Sequence, residues 1–457
     1  MPPEPPGPDK VLSVPLLFDG DNWHRGVRIG ISRNGEITTF EADTDAQPGD
    51  QRVRRVVIPG MPNLHSHAFQ RAMAGFAEIR EAGGGSFWGW RQVMYRVASQ
   101  ISLEAMEVVA THLYVELLKA GYTSVCEFHY LHRDGSGGTP GAMSEALVRA
   151  ADSAGIGLTL LPVLYQHGGF GTRPLDPTQQ QFHLDTPEYL ELRSDLAQRC
   201  GPQLTVGTAI HSLRAVAQPA MEMVIDGWQG PIHIHVAEQP REVQECLDFT
   251  GQRPVEWLAS RLPLDQRWVL VHATHVTQDE LGMVAEAGAT VGLCPSTEAN
   301  LGDGLFPLGA WLQLGGGFGV GSDSNVSRCP VEELRWLEYG QRLHTGQRNL
   351  ADGAGQGTGR QLWRRSLAGG ARACGRAVGM LGPGGRADLL VLDPQRFDPA
   401  DGPDQVLERL VFSGNNSAVV DVMAGGHWTV QAGRHLLDGD LPGAFRSFQS
   451  ELLKGPR

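Results

Sequence analysis

Positive charge is scarce: 38 lysines and arginines face 51 acids in 457 residues, a net charge of −13. Such a surface has no basic stripe for nucleic acid, although it can still hold a local cationic pocket. Long apolar runs are missing too. None approaches the roughly 20 residues that span a bilayer. The opening "MPPEPPGPDK" has neither the basic nor the apolar region of a secretory signal, and residues 1–10 are expected to be a disordered tail. Cysteine is sparse, with six scattered at 126, 200, 246, 294, 329 and 374 and no C-x-x-C pair. That pattern excludes a disulfide framework and a zinc knuckle, and it suits a reducing cytoplasm. Cys126 and Cys294 lie in apolar runs, where buried free thiols are common.

What is abundant is alternation of strand and helix. Short strand patterns over residues 11–58 give way after Pro59 to apolar runs at 56–64, 122–128, 156–164, 204–210, 231–236, 267–271, 288–294 and 317–322. Segments of helical period such as "SLEAMEVVATHLYVELLKAG" separate most of them. Strands alternating with helices predict parallel βα units, and this number of them predicts a (β/α)8 TIM-type barrel over 59–370. Strand patterns return in "RADLLVLD" and "AVVDVMAGGHWTVQAGRHL". Residues 11–58 and 371–440 are therefore expected to form a small β-sandwich built from both chain ends. Residues 441–457 read as a terminal helix. The Gly-rich loops 131–141 and 345–360 have no evident chemical role.

Barrel enzymes place their chemistry at the C-terminal strand ends, and those ends are rich in histidine. The first strand runs into "MPNLHSHAFQRA". Alternate strand residues share a face, so His65 and His67 point the same way, as two ligands of one metal would. Strand two ends in "EFHY", with His129 and Tyr130, and strand four in "AIHSLR", with His211 and Arg214. Strand five, "IHIHVAE", supplies His235 and then Glu238. His235 lies nearer the strand's C-terminal end than His233, which reads as a packed core residue. Strand six ends at His272, favoured over His275 in the following loop, and strand eight ends at Asp323. Cys294, beside Pro295, is read as packing.

"PGMPNLHSHAFQ" and "GRADLLVLD" resemble the opening and closing signatures of the amidohydrolase superfamily. The resemblance implies one zinc per subunit on His65, His67, His235 and Asp323, with His272 as a further catalytic histidine. Binuclear members carry a bridging lysine at the end of strand four. "AIHSLR" has none, which implies the mononuclear branch that deaminates C=N substrates and places a glutamate three residues after the strand-five ligand. Three histidines and one aspartate leave zinc a position for water, whose pKa falls to roughly 7. Asp323 would take a proton from that water, and Glu238 would serve as general acid–base.

Longer stretches, among them "NLHSHAFQRAMAG", "SFWGWRQVMYR", "IHVAEQPREV" and "LCPSTEANLGDG", resemble the N-formimidoyl-L-glutamate deiminase branch. That resemblance implies substrate contacts at Gln70, Arg91, Tyr130, His211 and Arg214, a small dicarboxylate substrate and a homodimer. Arginine forks suit carboxylates. The aromatic run "FWGW" before Arg91 is expected to pack or to wall the site. Two other readings stay open: a mononuclear deaminase of a nucleobase such as guanine, and a metal-free assembly protein of the same fold.

Overall fold

The computed structural model describes residues 8–78, 87–134, 137–353, 355–400 and 402–452. Residues 1–7 of the expected tail, 453–457 of the terminal helix, and 135–136 and 354 of the Gly-rich loops lie outside the described residues.

Eight parallel strands form the central sheet: Met61–Ser66, Tyr122–His129, Gly157–Leu164, a broken fourth, Ile232–Val236, Trp268–His272, Thr290–Leu293 and Gly317–Val320. The fourth is split by Gly207 into Leu204–Val206 and Thr208–Ile210. Nearly every residue of these strands is buried, as expected when helices cover the outside of a parallel sheet and side chains fill the inside. The sheet closes through a parallel bridge between Ser66 and Asp323.

Local signals set the helices. Leu103–Ala120 starts where the Ser102 hydroxyl accepts from the Ala105 amide at 3.2 Å. It stops at Gly121, whose φ of 109° sends the chain into strand two. Gln278–Ala287 opens with a capping box between Thr277 and Glu280.

Strands from both chain ends make one nine-stranded sheet. Its central order runs from Val419–Ala424 through Leu389–Leu392, Val56–Pro59 and Lys10–Phe18 to Trp23–Ile31. The alternation of Val56, Val57 and Ile58 shows why both faces are buried. Val56 and Ile58 join the barrel's core, whereas Val57 joins a second core with Leu12, Val27, Leu389 and Met423. This is the small sandwich-like unit anticipated from the chain ends. The terminal helix, Leu441–Leu452, stacks Phe445 on His112 at 4.0 Å. Its Gln449 donates to the Ala72 carbonyl just beyond the first strand.

Candidate metal centre and active site

His65 and His67 leave the first strand on one face, and His235 reaches them from the fifth. His65 Nε2 lies 3.1 Å from His67 Nε2 and 3.0 Å from His235 Nε2. Asp323 Oδ1, at the end of the eighth strand, stands 3.2 Å from His67 Nε2 and 3.5 Å from His65 Nε2.

The outer ring atoms show what this cluster can hold. His67 Nδ1–H donates to the Phe128 carbonyl at 2.9 Å, and His235 Nδ1–H donates to the His211 carbonyl at 3.1 Å. Carbonyls only accept, so the hydrogen of each neutral ring sits on Nδ1 and the Nε2 lone pair faces His65. Lone pairs and a carboxylate oxygen converging at such distances repel unless a cation lies among them. Metal–nitrogen bonds of 2.0–2.1 Å in a tetrahedral shell separate ligand nitrogens by about 3.3 Å, close to what is seen. Burial, reinforced by the neighbouring imidazoles, holds His65 and His235 well below the ordinary histidine range, in the neutral form that binds metal. The donor set fits a divalent ion.

Around the cluster the strand ends are strained. Five of the nine described non-glycine residues with positive φ are Ala237, His272, Ala273, Asp323 and Asn325. All sit at or just past the ends of strands five, six and eight. Such backbone costs about 1–3 kcal/mol per residue and survives where surrounding contacts over-determine it. Here they do. Asn325 Nδ2 donates to the carbonyls of His67 and Asp323 at 3.0 and 2.9 Å, and Asn63 Nδ2 donates to Ser322 Oγ at 2.7 Å.

Beside the cluster, His272 Nδ1 pairs with Glu298 Oε1 at 3.3 Å. That contact turns His272 Nε2 inward, 3.8 Å from both Glu238 Oε1 and Asp323 Oδ2. Burial pushes the Glu238 carboxyl up, with Asp323 and Glu242 adding to the effect against His272 and Arg214. Asp303 joins the group: a carboxylate oxygen of Asp303, one of Glu238 and a ring nitrogen of His272 all fall within 4.8 Å of one another. Burial and the Glu238 charge push Asp303 up to about 9.

A single cavity carries most of the anticipated residues. His67, Gln70, Arg91, Tyr130, His211, Arg214, His235, Glu238, His272 and Asp323 all line it, while His65 is fully buried behind them. Phe87 and Trp90 of the "FWGW" run form part of the wall. Gln70 Nε2 donates to Tyr130 Oη at 2.8 Å. Arg91 donates to Tyr95 Oη and to Tyr165 Oη. Among the described residues no carboxylate forms an ion pair with Arg91 or with the buried Arg214. His129 turns away and packs on His132 at 5.2 Å. His233 Nε2 bonds the Ala373 carbonyl as a core residue, and His275 Nε2 bonds the Asp303 carbonyl outside the cluster. The Cys294 thiol lies near His272 and Asp323, but burial pushes it well up, so it is a neutral packing group.

The amidohydrolase family profile matches residues 56–429. The chain belongs to the amidohydrolase family. It is 48% identical over 451 residues to a formimidoylglutamate deiminase of Pseudomonas aeruginosa, covering 96% of this chain and 98% of that one. It is 28% identical to an 8-oxoguanine deaminase of the same species, covering 83% of each. Among solved structures, an amidohydrolase from Brucella melitensis superposes with a TM-score of 0.91 at 42% identity, covering 97% of this chain and all of that one. An adenosine deaminase from Xanthomonas campestris, solved with bound zinc, shares the fold at a TM-score of 0.80 and 22% identity, covering 98% and 100%. Within this amidohydrolase, Tyr95, Tyr165, Gln179, Glu298 and Asp303 escaped sequence reasoning. Only Tyr95 left a signal there, standing four residues after Arg91 on one helix.

Proposed function

We propose that this amidohydrolase hydrolyses N-formimidoyl-L-glutamate to N-formyl-L-glutamate and ammonia. The observation that carries the reading is one cavity lined both by two guanidiniums, unpaired with any described carboxylate, and by the His–Asp cluster. A molecule acidic at one end and bearing a C=N group at the other matches that polarity. The named Pseudomonas relative supports the choice of substrate.

Zinc, one per subunit on His65, His67, His235 and Asp323, supplies an acidified water when bound. Arg91 and Arg214 grip the two carboxylates by charge-assisted bonds, while Gln70, Tyr130 and His211 orient the chain between them. His211, kept neutral by burial and by the nearby Arg214 and Arg91, offers a ring N–H without adding charge. Asp323 Oδ2 accepts the proton of the attacking water. His272, its tautomer set by Glu298, steadies the developing tetrahedral centre. Glu238, pushed up by burial, carries a proton to the departing nitrogen.

Residues 59–370 form the catalytic barrel, supported by 11–58 and 371–440. The enzyme works in the cytoplasm as a homodimer, and among the described residues no helix is long and apolar enough to cross a membrane. An ammonia-release assay offering N-formimidoyl-L-glutamate beside guanine and 8-oxoguanine tests the substrate. Release from the first alone is expected. Turnover of a purine instead, or of none of them by zinc-loaded protein, overturns the reading.

A further inference from the structure

Two phenols that line the cavity, Tyr95 and Tyr165, belong to a hydrogen-bonded group that no part of the reaction so far uses. Gln179, buried on the short helical turn Pro177–Phe182, donates through Nε2 to Tyr95 Oη at 3.0 Å and to Tyr165 Oη at 2.8 Å. Its orientation is settled, because Gln179 Oε1 accepts from the Asp176 amide at 2.9 Å. The nitrogen, a donor only, therefore faces the phenols. Arg91 reaches the same two oxygens, through Nε to Tyr95 and through Nη2 to Tyr165 at 3.4 Å. Guanidinium also donates only.

Counting hydrogens decides what the phenols do. Each oxygen already accepts twice, once from Gln179 and once from Arg91. Each phenol still owns one hydrogen. Among the described residues the only group placed to take it is the other phenol, which adds to the effect of burial in pushing the Tyr95 hydroxyl up. If one phenol donates to its partner, the second hydrogen remains without an acceptor. Both rings are buried, and both line the cavity. At least one O–H therefore points to whatever occupies it. A buried donor left unmade costs free energy, so the site is built for an occupant that accepts there.

We propose that Tyr95 and Tyr165 are substrate-binding residues, donating a phenolic hydrogen bond to the same carboxylate that Arg91 grips, with Gln179 as their positioning residue. The inference rests on the dicarboxylate reading above and adds to it. A carboxylate is the acceptor that suits both groups at once, since it takes the guanidinium fork and still has lone pairs for an O–H. A neutral amide at that end would bring N–H groups against donors.

The test uses zinc-loaded enzyme, N-formimidoyl-L-glutamate and the double variant Y95F/Y165F, which keeps both rings. Its KM is expected to rise at least tenfold with kcat within twofold, because the lost contact holds substrate and transition state alike. A purely structural role, holding Arg91 in place, is separated by repeating the change in an Arg91→Ala background. Direct donation predicts a further rise of at least threefold there, whereas positioning alone predicts none. A KM within twofold of the parent in either background overturns the proposal. If the double variant melts early or loses zinc, Tyr95→Phe and Tyr165→Phe are measured singly, and a KM within twofold of the parent in both overturns the proposal. Turnover by wild type alongside an unchanged KM in the variants sinks this inference and leaves the substrate reading standing. Absence of wild-type turnover sinks both.

Discussion

His67 and Asp323 meet twice. The His67 amide donates to the Asp323 carbonyl at 3.0 Å, and the His67 Nε2 lies 3.2 Å from Asp323 Oδ1. The seam that closes the barrel is thus also one edge of the metal cluster. The Asp323 amide returns a bond to the His65 carbonyl at 2.9 Å, so three of the four candidate ligands belong to two strands that lock each other.

Gly321 makes that approach possible. A Cβ there would fall 2.8 Å from the His65 nitrogen and carbonyl oxygen and 2.9 Å from its Cβ. Backbone cannot yield as a side-chain tip can. Gly321→Ala is expected to destabilise the fold by about 1–3 kcal/mol, the usual cost of overpacking, and to lower zinc content. Thermal melts and metal analysis check it; a variant with full zinc and an unchanged melting temperature would detach the seam from the site.

Why were His65, His67, His235, His272 and Asp323 readable in the sequence when Glu298 and Asp303 were not? The first five sit at the ends of apolar runs, where strand period and barrel topology together say which way a side chain points. Glu298 and Asp303 follow the seventh strand in a short helix and a loop, where no period applies. Their roles come from tertiary packing against His272 and Glu238. Likewise "LTVGTAI" reads as one strand, yet it breaks at Gly207, where a Cβ would lie 2.4 Å from Leu161 Cδ2. That close approach is invisible without the neighbouring strand.

Glu298 offers a clean test of positioning. It holds His272 through Nδ1 and also accepts from the Cys294 amide at 2.9 Å, but it reaches none of the four ligands. Glu298→Ala is expected to lower kcat roughly 10–100-fold, as loss of an orienting partner does, while zinc content stays full. Glu298→Gln keeps an acceptor for the ring and is expected to recover most of the loss. Equal kinetics in all three proteins would remove Glu298 from the account.

Arg214 should act chiefly on binding and leave the metal cluster untouched. The guanidinium lines the cavity without a described carboxylate partner, and each charge-assisted bond it makes contributes about 1.5–3 kcal/mol. Arg214→Ala is expected to raise KM by roughly 10-fold to 100-fold with metal content unchanged. Steady-state kinetics and metal analysis on one preparation check both halves.

Glu238 should act on turnover instead. Glu238→Gln preserves shape and hydrogen bonding but removes the exchangeable proton, so kcat is expected to fall by about 10²–10⁴. Zinc content should hold, and a dicarboxylate inhibitor should bind the variant as it binds wild type. Wild-type turnover by Glu238→Gln would eliminate the proton transfer assigned to it.

Glu333 links folding to pH. Its carboxylate accepts from the Ser296 amide at 2.9 Å and from Ser296 Oγ at 2.6 Å, supporting the helix Pro295–Leu301 that carries Glu298. Burial nevertheless pushes it up to about 8 from an ordinary 4.5. Between those values the folded state binds the proton more tightly than the unfolded chain does. Raising the pH through that window therefore removes stability, and the loss is complete above the folded value. At about 1.4 kcal/mol per unit, going from pH 6 to pH 9 crosses roughly two units of the window and costs wild type on the order of 2–3 kcal/mol. Glu333→Gln cannot ionise and escapes that loss, although it gives up one acceptor to Ser296. The variant is therefore expected to melt below wild type at pH 6 and to close or reverse the gap at pH 9. A gap that stays constant or widens with pH would mean that Glu333 is already ionised in the folded protein at neutral pH, held down by its Ser296 hydrogen bonds.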